Sequence, residues 1–81
     1  MVVQVVQNDI QKIMQELFKD DQLEIHASTS QADISKWDSL NHAVLIDQIE
    51  KHFDVKFDLM DMLDIRTIGD ICQKIIAKKN A

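Results

Sequence analysis

The sequence predicts a small, mostly helical single domain, and three observations lead there. Its 81 residues leave no room for a second core. The chain holds one glycine, Gly69, and no proline, whereas sandwiches and barrels need many turns built on those two residues. Apolar residues recur at helical spacing near both ends and in the middle of the chain.

The first element follows from Val6, Ile10, Ile13, Met14, Leu17 and Phe18, which form one apolar stripe. Gln11, Lys12, Gln15, Glu16 and Lys19 fall on the other side, so a helix is expected from about residue 4 to residue 19. Residues 20–37 have no helical period and contain Ser28-Thr29-Ser30, which reads as a long loop. Trp37 ends that loop, where its ring can anchor it while the indole N–H finds a partner.

The central helix starts at Asp38, a good N-cap, and runs to about Phe53. His42, Leu45, Ile46, Ile49 and Phe53 share one face. Leu40, Ala43 and Val44 lie opposite, and Asp47, Glu50 and Lys51 extend that side. A domain of this size has little bulk to cover both stripes, so the second is expected to be exposed. Val55-Lys56-Phe57 alternates but has no partner strand. Asp58 can cap one short helical turn, with Leu59, Met62 and Leu63 expected to face inward. Thr67-Ile68-Gly69-Asp70 reads as the capping box of a last helix, whose stripe is Ile68, Ile71, Cys72, Ile75 and Ile76. Lys74, Lys78 and Lys79 sit toward its C-terminal end, where positive charge opposes the helix dipole. Cys72 on that stripe is expected to be a small core hydrophobe.

Composition also bounds function. A phosphate-cradling loop needs clustered glycines, so P-loop and dinucleotide-binding readings fail. One cysteine makes neither an internal disulfide nor a cysteine-based zinc site. No apolar run approaches a membrane span, and Met1-Val2-Val3 lacks the basic flank of a signal peptide, so a cytoplasmic protein without membrane insertion is expected. The net charge is −5, the wrong sign for nucleic-acid binding by phosphate neutralisation. Residues 33–70 hold nine acids and four bases, so a partner with a basic surface would be steered to the middle of the chain.

Few residues offer chemistry. Ser39 and His42 suggest a nucleophile and base, but the helical wheel separates their faces and no strand-to-helix elbow accompanies them. His26, His42 and His52 lack metal-site spacing, and Asp58, Asp61 and Asp64 lack the glycine and closing Glu of a calcium loop. Neither a catalytic residue nor a metal ligand is therefore expected. Asp38-Ser39 has an ordinary reading as a cap and an early helix residue. A serine hydroxyl at a helix N-terminus is also a good place for an attached phosphodiester, since free N–H groups and the dipole favour negative charge.

The segment Trp37-Asp38-Ser39-Leu40-Asn41-His42, leading into Leu45-Ile46-Asp47-Gln48-Ile49-Glu50-Lys51-His52-Phe53, resembles the central helix of acyl carrier proteins. The preceding single helix and long loop, the Phe53-Asp54 close, and Asp64-Ile65-Arg66-Thr67-Ile68 before the last helix fit the same family. The resemblance covers nearly the whole chain. It implies an all-α four-helix bundle of three longer helices, a short third helix and a long first loop, with residues 1–81 forming one carrier domain. It implies that Ser39, beside Asp38 of the motif, bears a 4′-phosphopantetheine arm added from coenzyme A by a phosphopantetheinyl transferase. Acyl or aminoacyl groups would then travel as thioesters to loading and processing enzymes, and the protein would be a monomeric carrier, not an enzyme.

Partner docking is implied on Leu40, Val44, Asp47, Glu50 and Lys51. Leu45, Ile46, Ile49 and Phe53, with Met62 and Leu63, could line a space for an acyl chain, or could be ordinary core. Two departures bear on partners. Ser35-Lys36-Trp37 stands where many members have a glycine, and Asn41, Val44, Lys51 and His52 occupy positions often acidic in fatty-acid carriers. The docking face is thus less acidic than that of a generalist, which points to dedicated partners in a specialised lipid, polyketide or related pathway. The alternatives are an aminoacyl or peptidyl carrier for an adenylating enzyme, an unmodified helical adaptor working through Leu40 and Val44, and a small hydrolase using Ser39 and His42.

Overall fold

The computed structural model describes residues 2–80, so Met1 and Ala81 of the expected 1–81 domain lie outside the described residues. Four α-helices follow in order: α1 (Val3–Phe18), α2 (Ser39–Phe53), α3 (Leu59–Asp64) and α4 (Ile68–Lys79), with a 3₁₀ turn at Gln31–Asp33 in the first loop. The extended pairing among the described residues is a single bridge between Ser30 and Thr67. The chain is all-α, and its helix boundaries fall within a residue or so of those the sequence predicts.

The apolar stripes meet in one core. Val6, Ile10, Met14 and Phe18 of α1 bury against Leu45, Ile46, Ile49 and Phe53 of α2 and Ile68, Ile71, Cys72 and Ile75 of α4. Each such side chain contributes roughly 1.5–3 kcal/mol on leaving water. Val55 and Phe57 are buried in that core without forming a strand. Burial pushes the Cys72 thiol up to about 11, which leaves a neutral, unreactive hydrophobe.

Side-chain caps start three of the helices. Asp38 accepts the Asn41 amide at 2.8 Å, and Asp58–Asp61 and Thr67–Asp70 form reciprocal capping boxes. Both α1 and α2 end on a left-handed residue that is not glycine, Lys19 (φ 55°) and Asp54 (φ 56°). Each is followed by the six-to-one backbone bond of a Schellman turn, Asp20 to Gln15 at 2.9 Å and Val55 to Glu50 at 3.1 Å. The lone glycine is needed elsewhere. The Gly69 amide donates to the Ala27 carbonyl at 2.8 Å, and a Cβ on residue 69 would stand 3.0 Å from that oxygen.

The long loop is held by side chains from the side of α1 opposite its apolar stripe. Gln11 Oε1 accepts the Ile25 amide at 2.9 Å, and Gln15 Nε2 donates to the Leu23 carbonyl at 2.8 Å. Both glutamines are half-buried. Midway along, the loop is stitched to α4 by the Ile68 amide donating to the Thr29 carbonyl at 2.9 Å. No helix among the described residues is long and apolar enough to cross a membrane.

Candidate functional site

The segment before α2 brings the candidate residues together. Asp38 has an extended backbone and closes the first turn twice, its carboxylate on the Asn41 amide at 2.8 Å and its carbonyl on the His42 amide at 2.8 Å. Ser39 is the first helical residue and is exposed. Among the described residues, the amides of Ser39 and Leu40 have no hydrogen-bond partner, as expected for the opening positions of a helix. A phosphodiester on the Ser39 hydroxyl would meet those two N–H groups and the positive end of the helix dipole, so the residues present fit such a group.

The wall behind the serine is tightly made. Trp37 is 2% exposed, and its indole Nε1 donates to His42 Nδ1 at 2.9 Å. Gln31 Nε2 donates to the Trp37 carbonyl at 3.2 Å, and Asn41 Nδ2 to the Lys36 carbonyl at 2.7 Å. The Lys36 ammonium reaches back to the Phe18 carbonyl at the end of α1, at 3.0 Å. Desolvation holds the His42 imidazole below its ordinary pKa, which matches a ring nitrogen that must stay unprotonated to accept. The anchoring of Trp37 is as expected. The choice of His42 as its partner, and the Asn41 bond, were not anticipated. A Trp ending a loop with Asn and His in the next helical turn is the signal that could have found them.

The expected docking residues divide. Leu40 is 74% exposed, Val44 is half-buried, and Asp47 and Lys51 are exposed and paired at 3.0 Å. Glu50 is engaged inward, its carboxylate accepting the Phe57 amide at 2.8 Å. Leu45, Ile46, Ile49 and Phe53 are gathered in the core.

The inward orientation expected for α3 is corrected. Leu59 and Leu63 are 71% and 64% exposed, and Met62 is 37% exposed. The reason is Asp61, which α3 turns toward α4, where it meets Lys78 at 2.8 Å and Lys74 at 3.4 Å. Lys78 chiefly, with the Asp58 amide and Lys74, holds the Asp61 carboxyl down to about 2. On a six-residue helix, the face opposite Asp61 is that of Leu59 and Leu63, which therefore meets solvent. Leu40 on α2 and Leu59, Met60 and Leu63 on α3 are large exposed apolar side chains.

Comparison with known proteins bears on this arrangement. The family model described as "Phosphopantetheine attachment site" matches residues 8–75. The solution NMR structure of holo acyl carrier protein from Geobacter metallireducens superposes with a TM-score of 0.86 at 31% sequence identity, covering 93% of this chain and 86% of that one. No curated protein sequence matches the chain.

Proposed function

The chain belongs to the phosphopantetheine-attachment-site family of acyl carrier proteins, and from that premise we propose that Ser39 is the residue that bears the arm. The protein is a carrier, not an enzyme, and its covalent group is 4′-phosphopantetheine. That group supplies a terminal thiol on which acyl cargo is held as a thioester.

The observation that carries the assignment is the exposed Ser39 hydroxyl at the first position of α2, beside two unpartnered amides and an Asp38 cap. Asp38 fixes the helix start, so the hydroxyl is presented outward on a rigid end. The Ser39 and Leu40 amides, with the helix dipole, would favour the negative charge that a phosphodiester brings. His42 is no general base for Ser39 through Nδ1, because that nitrogen accepts the Trp37 indole.

Docking is assigned to the exposed apolar surface of Leu40, Leu59, Met60 and Leu63, rimmed by Asp47 and Lys51. Dedicated loading and processing enzymes with an apolar contact surface suit this face better than strongly basic ones, in keeping with a specialised lipid, polyketide or related pathway. Acyl cargo would reach the core residues Leu45, Ile46, Ile49 and Phe53 only if α3, with Met62 and Leu63, moved off α4. The Asp61 ion pairs with Lys74 and Lys78 are the contacts that must yield.

Incubation with a broad-specificity phosphopantetheinyl transferase and coenzyme A, read by intact mass, tests the attachment. One arm should be gained by the wild type and none by Ser39→Ala. No gain on the wild type overturns the assignment and favours the unmodified adaptor.

A further inference from the structure

We propose that Trp37 and His42 form a positioning pair, whose hydrogen bond holds the peptide before Ser39 in the conformation a phosphopantetheinyl transferase recognises. This rests on the reading of Ser39 as the attachment point. His42 binds the two residues that precede the serine. Its amide donates to the Asp38 carbonyl at 2.8 Å, and its Nδ1 accepts the Trp37 indole N–H at 2.9 Å. Asn41 repeats the pattern one residue earlier, with its amide on the Asp38 carboxylate at 2.8 Å and its Nδ2 on the Lys36 carbonyl at 2.7 Å. Lys36, Trp37 and Asp38 are thus each tied to the first turn of α2, and Ser39 projects from a segment with no slack.

The pair is directional. An indole N–H only donates, so Nδ1 must present its lone pair and the ring proton sits on Nε2. Trp37 is buried by the core, so loss of the acceptor leaves its N–H unpaired in a dry place. The segment then relieves that penalty by leaving the observed conformation for part of the time. An enzyme that binds only the competent fraction meets that loss as a raised KM, because kcat is measured once the protein is captured.

The experiment is steady-state loading of the full apo chain by a broad-specificity transferase with coenzyme A, read by intact mass. His42→Leu removes the acceptor and is expected to raise KM for the carrier about tenfold while kcat stays within about twofold. In His42→Asn the side-chain Oδ1 stands where Nδ1 stood and accepts the same bond. KM should return to within about threefold of wild type, a rescue that a merely space-filling role for His42 does not give. Adding Trp37→Phe to His42→Leu lowers stability by thinning the core but should raise KM no further than about twofold, since the donor is already idle. An unchanged KM in His42→Leu, or an Asn variant as impaired as the Leu variant, overturns the proposal and leaves the attachment reading standing. Failure of the wild type to gain an arm overturns that reading, and this one with it. If His42→Leu does not fold, nitrogen-15 NMR on the wild type decides. A coupling across the hydrogen bond between Trp37 Nε1 and His42 Nδ1 supports the pair, and its absence with a freely exchanging indole proton overturns it.

Discussion

Protonation of His42 would set a second N–H against the Trp37 indole, so the folded state resists it, and desolvation lowers the ring pKa in the same direction. The folded pKa therefore lies below the ordinary value of about 6.5. The unfolded chain binds this proton first as pH falls, so the contribution of His42 to stability is complete above about pH 6.5 and is lost as pH drops through the folded value. Urea unfolding should show the wild type losing stability relative to His42→Asn between pH 8 and pH 5. The ring is only half-buried and partly screened by water, so the difference should be no more than about 1 kcal/mol. Parallel pH profiles for the two proteins would contradict the hydrogen bond. Trp37 as an anchor was legible because a large ring beside a cap has one sensible place to go. Its acceptor was not, because periodicity reports which face a residue occupies and says nothing about which atom it meets.

At the level of elements, local signals were readable wherever a helix carried its own cap and stripe. Asp38, Asp58 and Thr67 each begin the helix that their position predicts. Two features depend on contacts distant in sequence. The α3 orientation follows from Asp61 reaching Lys74 and Lys78 of a later helix, and the path of the long loop follows from Gln11 and Gln15 of an earlier one. At Gly69 helix propensity alone predicts a cost, and the fold gives the reason a glycine stands there. Alanine in a helix interior normally gains up to about 1 kcal/mol over glycine. Here its Cβ would press on the Ala27 carbonyl from 3.0 Å while that oxygen also accepts the Gly69 amide at 2.8 Å. The site lies in the first turn of α4, where the propensity gain is smallest, so the clash decides the sign. Gly69→Ala should destabilise by about 1 kcal/mol, lowering Tm by roughly 4–8 °C. A calorimetric Tm equal to or above the wild type would show that the loop moves away at no cost.

Across the whole molecule, a net charge of −5 would suggest an acidic surface that recruits basic partners. Part of that charge is engaged within the fold. Asp61 is spent on Lys74 and Lys78, Glu50 on the Phe57 amide, and Asp47 on Lys51. The exposed ground around α2 and α3 also carries Leu40, Leu59, Met60 and Leu63, beside the exposed acids Asp38, Asp58 and Asp64. Rim charges mainly set on-rates and exclude wrong partners, whereas a central apolar cluster sets residence time. A carrier built this way should serve its own enzymes through the leucines and meet general fatty-acid elongation enzymes poorly. The arm-bearing protein should therefore give those enzymes a kcat/KM at least about tenfold below that of their own carrier, about 1.4 kcal/mol of missing recognition. Lys51→Glu breaks its ion pair and returns an acid to the rim. It should recover part of that deficit at low salt, and the recovery should vanish near 1 M salt, where screening acts within about 3 Å. Leu63→Asp should leave stability within about 0.5 kcal/mol, because the side chain is exposed. It should nonetheless lower turnover with the dedicated loading enzyme by about tenfold. Equal use of wild type and general carrier by the elongation enzymes would mean that the apolar face confers no selectivity, and docking would have to be sought on the remaining acids.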